Sequence, residues 1–344
     1  MRNEEIRRIQ LTGRSTYIVS LPKKWVSGMG LKAGSQLLIF PEGESLILTP
    51  KDLVKPRINL LEATLKISNM DTPEKITRAI ISIYLNGYSS IRVVTLSEYI
   101  LPSQRNAVRE LVRRKIVGTE IISDSPKEMI LKVLVGYPEL SVESALRRMC
   151  LIASSMLEDV IKALIDLDEE LAKNIIELDD EVDRFSFYII RQLKAAVQND
   201  KILKDIGLSN PRDCLGYRVV VKFVERIADH AARIAESILS MDERLEEFAL
   251  EKIFEMSSLA KSLFESSIKS LFKRDYLLAE EVVSEAKKMA LMEAEVIKTI
   301  TEKTGRTVSP NVRIILESIR RTGEYSSDIA EIVLNLNINQ ILMM

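Results

Sequence analysis

With two cysteines and one histidine in 344 residues, the chain has no basis for a disulfide framework or a four-cysteine zinc site. The same scarcity excludes an HExxH or three-histidine metal centre. Aromatic residues stand at 5%, with only 12 glycines and 10 prolines, which argues against a mostly β protein and against a single-strand binder that stacks bases on rings. No apolar run approaches the roughly 20 residues needed to cross a bilayer. The charged start, Met1 to Gln10, lacks the apolar core of a signal peptide. A cytoplasmic location with reduced thiols is the expectation.

What the chain does have is enough apolar residues for a core, 46%, and 29% charged residues, over a length suited to two or three domains. The net charge of -1 hides an asymmetry. Residues 1–140 hold 21 Lys and Arg against 14 Asp and Glu, whereas residues 141–344 hold 28 against 36. A basic front on an acidic body implies two kinds of partner.

Residues 6–50 read as short strands and one short helix. Ile6–Ile9 and Thr16–Ser20 flank a turn at Thr12-Gly13-Arg14, Pro22 opens a helix, and Gln36–Phe40 with Ser45–Thr49 form a hairpin over Pro41–Glu44. So few short strands bury little surface, and pairing with a second copy is expected. Residues 57–137 alternate as βαβαββ, with strands at Ile58–Ile67, Ile91–Thr95, Thr119–Ile122 and Met129–Val135. Its helices open at Thr72-Pro73 and span Ser103–Lys115, the latter ending in Arg113-Arg114-Lys115, cations suited to a helix C-terminus. From Ser141 onward a 3.6-residue period dominates and gives six helices. Residues 163–168 are echoed by 270–275, 107 positions later, and residues 233–238 by 328–333, 95 positions later. Two copies of a three-helix bundle follow.

Two constellations carry chemistry. Asp179 and Asp183 lie one turn apart on one helix, and Glu225 and Asp229 repeat that spacing on the next, with Glu236 continuing the stripe. Two helices facing each other with paired carboxylates suit a hard cation: iron, manganese, magnesium or calcium. The plainer alternative is a solvated acidic face offset by Arg184, Arg191, Arg226 and Arg233. His230 sits about 100° round the helix and misses the stripe. At the front, Arg2, Arg7, Arg8, Arg14, Lys23 and Lys24 fall within 24 residues. Doubled by a two-fold axis, they form a cationic surface for the phosphates of double-stranded DNA, the alternative again being a solvated rim with Glu4 and Glu5.

Residues 8–25 together with Gly30-Leu31-Lys32-Ala33-Gly34 resemble the SpoVT/AbrB swapped-hairpin domain, with its Ser-Leu-Pro-Lys run at Ser20–Lys23. The resemblance implies a homodimer whose hairpins interleave into one β-barrel and a DNA-binding face. Ile176–Asp183 and Glu225–Glu236 resemble the paired acidic helices of PhoU, the phosphate uptake regulator, over about 140–338. That resemblance implies a multinuclear iron or zinc cluster. An AbrB-like head joined to PhoU repeats is similar to the archaeal type of PhoU-related regulator. The second repeat departs from the motif, since Asp179 maps to Ala286, Asp183 to Ala290 and Glu225 to Arg320. Any metal, iron, zinc or Mg/Mn, is therefore expected on the first repeat alone.

The expected organisation is mainly α and multidomain: an AbrB-like barrel over 1–52, an α/β module over 57–137, and PhoU-like three-helix repeats over 141–241 and 242–340. The expected function is a non-enzymatic regulator of phosphate uptake. Arg7, Arg8, Arg14, Lys23 and Lys24 would contact DNA, and Asp179, Asp183, Glu225 and Asp229 would hold metal. The competing reading is an adaptor without DNA contact that docks on the phosphate transporter or a signalling partner. A metal-dependent hydrolase is disfavoured, because no nucleophile or base stands beside the carboxylates.

Overall fold

Among the described residues, each short strand at the front of the chain pairs only with its sequence neighbour. In the computed structural model, which describes residues 5–42, 44–51, 61–134 and 140–342, β1 (Gln10–Thr12) and β2 (Thr16–Ile18) form one antiparallel hairpin. α1 (Lys23–Gly28) follows Pro22, whose φ of -59° suits a helix start. β3 (Leu37–Glu42) and β4 (Ser45–Pro50) form a second hairpin. Residues Ile6–Ile9, expected as a strand, are not one; the first strand starts at Gln10. Gly13 takes a φ of +67° at the turn, which sets the register Leu11↔Tyr17, and the pairing ends at Gln10↔Ile18, leaving the residues before Gln10 without a strand partner among the described residues. Arg2, Glu4, Gly43, the first residues of the strand expected from Ile58, and Val135 lie outside the described residues.

The chain separates into two compact units, 1–60 and 61–344. Within the first, Pro50 is the one buried residue among those described. Leu11, Tyr17, Ile18, Ile39, Phe40 and Leu46 all face outward, Tyr17 at 72% and Leu46 at 64% exposure.

The second unit begins with a four-stranded sheet in the order β5-β6-β8-β7. β5 (Glu62–Ile67) and β6 (Ser90–Thr95) are parallel and joined by α2 (Pro73–Leu85). α3 (Pro102–Arg114) leads to β7 (Thr119–Asp124) and β8 (Glu128–Val133), which are antiparallel to each other; β8 is also antiparallel to β6. Thr72 caps α2 by accepting from the Lys75 amide, and Pro73 follows at the first helical position. Ile76, Ile80 and Tyr84 of α2 and Val108 and Leu111 of α3 are buried with Ile91, Val93, Met129 and Leu131 of the sheet.

The helical part comprises α4 (Val142–Asp166), α5 (Glu169–Ala196), α6 (Asp200–Asp205), α7 (Asp213–Leu239), α8 (Glu247–Lys273), α9 (Tyr276–Ala286), α10 (Lys288–Thr304) and α11 (Pro310–Asn337). Two differences from six uninterrupted helices appear. The first is that the break at 200–211 encloses the short α6. The second is that the middle helix of the later copy is divided at Lys287 into α9 and α10. The later helix α10 packs tightly on α11: a Cβ at Gly323 would overlap the Met289 side chain, so glycine is required there.

The repeat is visible in matching helix ends. Leu167 and Arg274, 107 positions apart, both take the left-handed conformation, with φ of 50° and 54°. The next residues, Asp168 and Asp275, both cap the following helix, accepting from the amides of Leu171 at 2.9 Å and Leu278 at 3.1 Å. A second correspondence, at an offset of 95, relates α7 to α11, which pack against each other. Phe223 stacks on Tyr325, while His230, 95 positions before Tyr325, bonds Ser318, 95 positions after Phe223. The two helices therefore cross antiparallel about a local pseudo-two-fold, and both repeats share one continuous apolar core.

The α/β module is held on α5. Arg191 is 6% exposed and points its guanidinium at the end of α2, donating to the carbonyls of Tyr84, Gly87 at 3.2 Å and Tyr88 at 3.0 Å. These carbonyls lie at and just beyond the negative C-terminal end of α2, so a buried cation there is both hydrogen-bonded and favourably placed in the helix field. Lys194 adds a bond to Asn86 Oδ1 at 2.9 Å, and Phe187 packs on the module's core. Arg191→Met removes the donor that these three carbonyls share; the expected cost is about 3 kcal/mol, read as a lower urea midpoint and faster amide exchange in α2.

Candidate functional site

The four carboxylates of the expected site lie on the faces of α5 and α7, near enough for their charges to act on Asp179. Asp179 and Asp183 project from α5, Glu225 and Asp229 from α7, and Asp183, Asp229 and Glu225 all act on the charge of Asp179. Helical spacing aligns each pair on one stripe, and the packing of α5 on α7 brings the stripes face to face. Glu236, the expected continuation, is exposed and stands apart.

Partial burial and mutual repulsion dominate the electrostatics. Burial first, then Asp183 and Asp229, push the Asp179 carboxyl up to about 7, against the pull of Lys115. Burial first, then Glu225 and Asp183, push Asp229 up to about 6. Asp179 Oδ1 is buried with no hydrogen-bond partner.

The cations that answer these charges come from the protein. Lys115, just past the C-terminus of α3, places its Nζ 3.0 Å from Asp183 Oδ2 and 3.0 Å from Asp180 Oδ1. Arg114 Nη1 lies 3.4 Å from Asp180 Oδ2. The two carboxylates hold the Lys115 ammonium well above its ordinary range despite its partial burial. On α7, Lys222 pairs with Glu225. Among the described residues no group of three or more His, Cys, Asp or Glu side chains is arranged to hold a metal ion. With an ammonium already between Asp180 and Asp183, the residues in this arrangement do not fit a metal cluster. Sequence reasoning does not single out Lys115, Asp180 or Lys222 as site residues. The signal for Lys115 is the Arg113-Arg114-Lys115 run, which local spacing explains equally well as a helix-end device.

In the second repeat the position of Glu225 is taken by Arg320. Its Nε is 2.6 Å from Glu293 Oε2, and its guanidinium also pairs with Glu324. His230 is half-buried between α7 and α11, bonded through Nδ1 to Ser318 Oγ at 3.2 Å and tilted against the Tyr325 ring. Burial, with Arg233 and Arg321 nearby, pushes its pKa down to about 4, so it is neutral at pH 7. Cys150 and Cys214 are buried free thiols, both pushed up in pKa mainly by burial.

In the first unit, Arg8, Arg14, Lys23 and Lys24 are exposed and make no ion pair among the described residues, whereas Arg7 pairs with Glu5. Four unpaired cations on short hairpins are a feature a polyanion can use without first breaking internal contacts.

The raised carboxyls set a pH dependence with a definite sign. The native state keeps protons on Asp179 and Asp229 that the unfolded chain releases near the ordinary carboxylate value of 3.8. Their contribution to stability is therefore complete below about pH 4 and is lost as pH rises through about 7. Asp179→Asn keeps the neutral form throughout. After discounting for solvent screening it is expected to be more stable than the natural chain by about 1–2 kcal/mol at pH 8 and near parity at pH 4, by urea unfolding.

Two family models match the sequence. The PhoU domain matches residues 146–238 and 253–333, together just over half of the chain. The model described as antidote-toxin recognition MazE, bacterial antitoxin, matches residues 10–55. No curated protein matches. Among solved structures, the phosphate transport system regulatory protein PhoU from Streptococcus pneumoniae superposes with a TM-score of 0.50 at 19% identity, over 59% of this chain and 96% of that one. PhoU from Pseudomonas aeruginosa superposes with a TM-score of 0.51 at 22% identity, over 58% and 96%. These likenesses show the fold, and the paired acidic helices with their matching caps agree with it. With its two three-helix repeats matched by one family model, the chain belongs to the PhoU family and carries an N-terminal MazE/AbrB-like domain.

Proposed function

We propose that this chain is a non-enzymatic regulator of phosphate uptake that works as a homodimer joined through its head. The head contacts double-stranded DNA, and the helical body couples to a phosphate transporter or a signalling partner. The observation that carries the reading is the head itself. Two hairpins that expose Leu11, Tyr17, Ile18, Ile39, Phe40 and Leu46, with one buried residue among those described, lack a core of their own. About fifty residues with that much outward apolar surface gain stability by burying it against an identical copy. A two-fold then duplicates Arg7, Arg8, Arg14, Lys23 and Lys24, giving paired cationic patches on one assembly.

The MazE likeness supports an interleaved-hairpin head, and the PhoU likeness supports the phosphate connection. Among the described residues no helix is long and apolar enough to cross a membrane, and we place the regulator in the cytoplasm. Transporter coupling would then occur by docking at the membrane's inner face.

Ile39→Asp is expected to split the dimer, read as a halved mass by light scattering. A variant that retains its mass overturns the head as the joining surface. Arg8→Glu with Arg14→Glu should weaken binding to a duplex carrying the chain's own promoter at least tenfold. It should also reduce the salt slope by roughly 0.9 for each phosphate that is no longer neutralised. Unchanged affinity and slope in a gel shift at two salt concentrations would mean that the head only joins copies and that the adaptor reading is correct.

A further inference from the structure

One pocket of the helical body is polar in a way that the fold does not require. It opens to solvent with a volume of about 380 Å³, where the start of α4, the loop after α6, α7 and the C-terminal end of α8 meet. Glu143, Tyr217, Phe272 and Arg274 are in its wall. The repeat supplies an internal comparison. At the offset of 107, Glu143 corresponds to Leu250 and Arg274 to Leu167; at the offset of 95, Tyr217 corresponds to Val312. Leu250 and Val312 are buried, and Leu167 packs on the same core. Leu167 also takes the left-handed backbone that Arg274 takes. All three positions therefore accept an apolar side chain, the helix cap included, and packing does not account for a cation, a phenol and a carboxylate around one pocket.

The three groups have bonding capacity to spare. Among the described residues the Arg274 guanidinium makes no ion pair and the Tyr217 hydroxyl no hydrogen bond. Burial pushes the Tyr217 hydroxyl above its ordinary value, against the pull of Arg274 and Arg147, so it keeps its proton and can donate at neutral pH. Glu143 is held from one side. Arg147 lies 3.7 Å over the Phe272 ring and donates from Nε at 3.0 Å and Nη2 at 2.8 Å, both to Glu143 Oε1. Oε2 is left to accept.

We infer that this pocket binds inorganic hydrogen phosphate, a tetrahedral oxyanion that carries its own proton. Arg274 supplies the charge and a planar fork for two oxygens. The Tyr217 hydroxyl donates to a third oxygen, and Glu143 Oε2 accepts from the P–O–H group. The carboxylate sets the selectivity. Phosphate keeps at least one proton near pH 7, whereas sulfate has none and a phosphate monoester is largely the dianion. An anion without a proton places an oxygen against the Glu143 oxygen and is repelled. The body then reads the phosphate ion directly, which goes beyond its proposed coupling to a partner and does not depend on the head.

The test is calorimetric titration of the full chain in chloride buffer at neutral pH with sodium phosphate, sodium sulfate and glycerol phosphate. The natural chain is compared with Arg274→Leu, Tyr217→Phe and Glu143→Gln. Arg274→Leu installs the side chain that the equivalent cap already carries, and Tyr217→Phe removes one oxygen, so the fold is kept; a urea midpoint confirms it. The natural chain should bind phosphate saturably, and sulfate and glycerol phosphate about tenfold more weakly or worse. Arg274→Leu should weaken phosphate by about tenfold or more, and Tyr217→Phe by roughly threefold. Glu143→Gln should bring sulfate close to phosphate in affinity. Absence of saturable phosphate binding, or binding that Arg274→Leu leaves unchanged, overturns the site. Sulfate or glycerol phosphate bound as tightly as phosphate by the natural chain overturns the assignment of hydrogen phosphate, as does a preference for phosphate that survives Glu143→Gln.

Discussion

Carboxylates on two packed helices cannot share a partly buried face unless positive charge or protons accompany them. At a separation of a few ångströms, repulsion between unit charges amounts to several kcal/mol in a medium less polar than water. The face between α5 and α7 meets this constraint with both. Asp180 and Asp183 receive the ammonium of Lys115, Glu225 receives Lys222, and Asp179 and Asp229 hold protons to much higher pH than free carboxylates. The placement of the α/β module follows from the same constraint, because one of those cations stands at the end of its second helix.

Helix α5 is thus a shared structural member. One stripe of it completes the bundle core, with Ile175, Val182, Ile189 and Leu193 buried. Its remaining surface carries the module, through Arg191 at the end of α2 and through Asp180 and Asp183 at the end of α3. Opposite charge patterns are used at the two ends: a helix terminus accepts from an arginine of α5, and a lysine beyond another terminus donates to its aspartates. Both docking points use the negative C-terminal end of a short helix, where cations are favoured. In the second repeat a cation of α11, Arg320, stands at the position of Glu225 and pairs with Glu293 and Glu324.

The head follows the opposite logic. In the body, apolar stripes of the long helices close on one another and leave one continuous core. In the head, strands of three to six residues form two separate hairpins and leave their apolar side chains outside. The two units therefore differ in whether their apolar side chains are buried within one copy, and the proposed function assigns assembly to the unit that exposes them.

Much of this was legible from residues alone because it rests on local periodicity. The 107-residue echo marks the matched caps at Asp168 and Asp275, and the 95-residue echo marks α7 and α11 as equivalent helices, whose antiparallel packing only the structure shows. The βαβαββ order and the i,i+4 carboxylate pairs follow from spacing of the same kind. Less visible were the strand that begins at Gln10 instead of Ile6 and the division of the later middle helix at Lys287, which no proline or glycine signals. What the linear text by itself determined is which side chains share a helix face, since a helix repeats every 3.6 residues wherever it lies. Only the tertiary structure decided which cation meets those side chains: Lys115 and Asp183 are 68 positions apart and meet because the module that carries Lys115 docks on α5. No local period encodes that distance, for it is set by the packing of one folded piece on another.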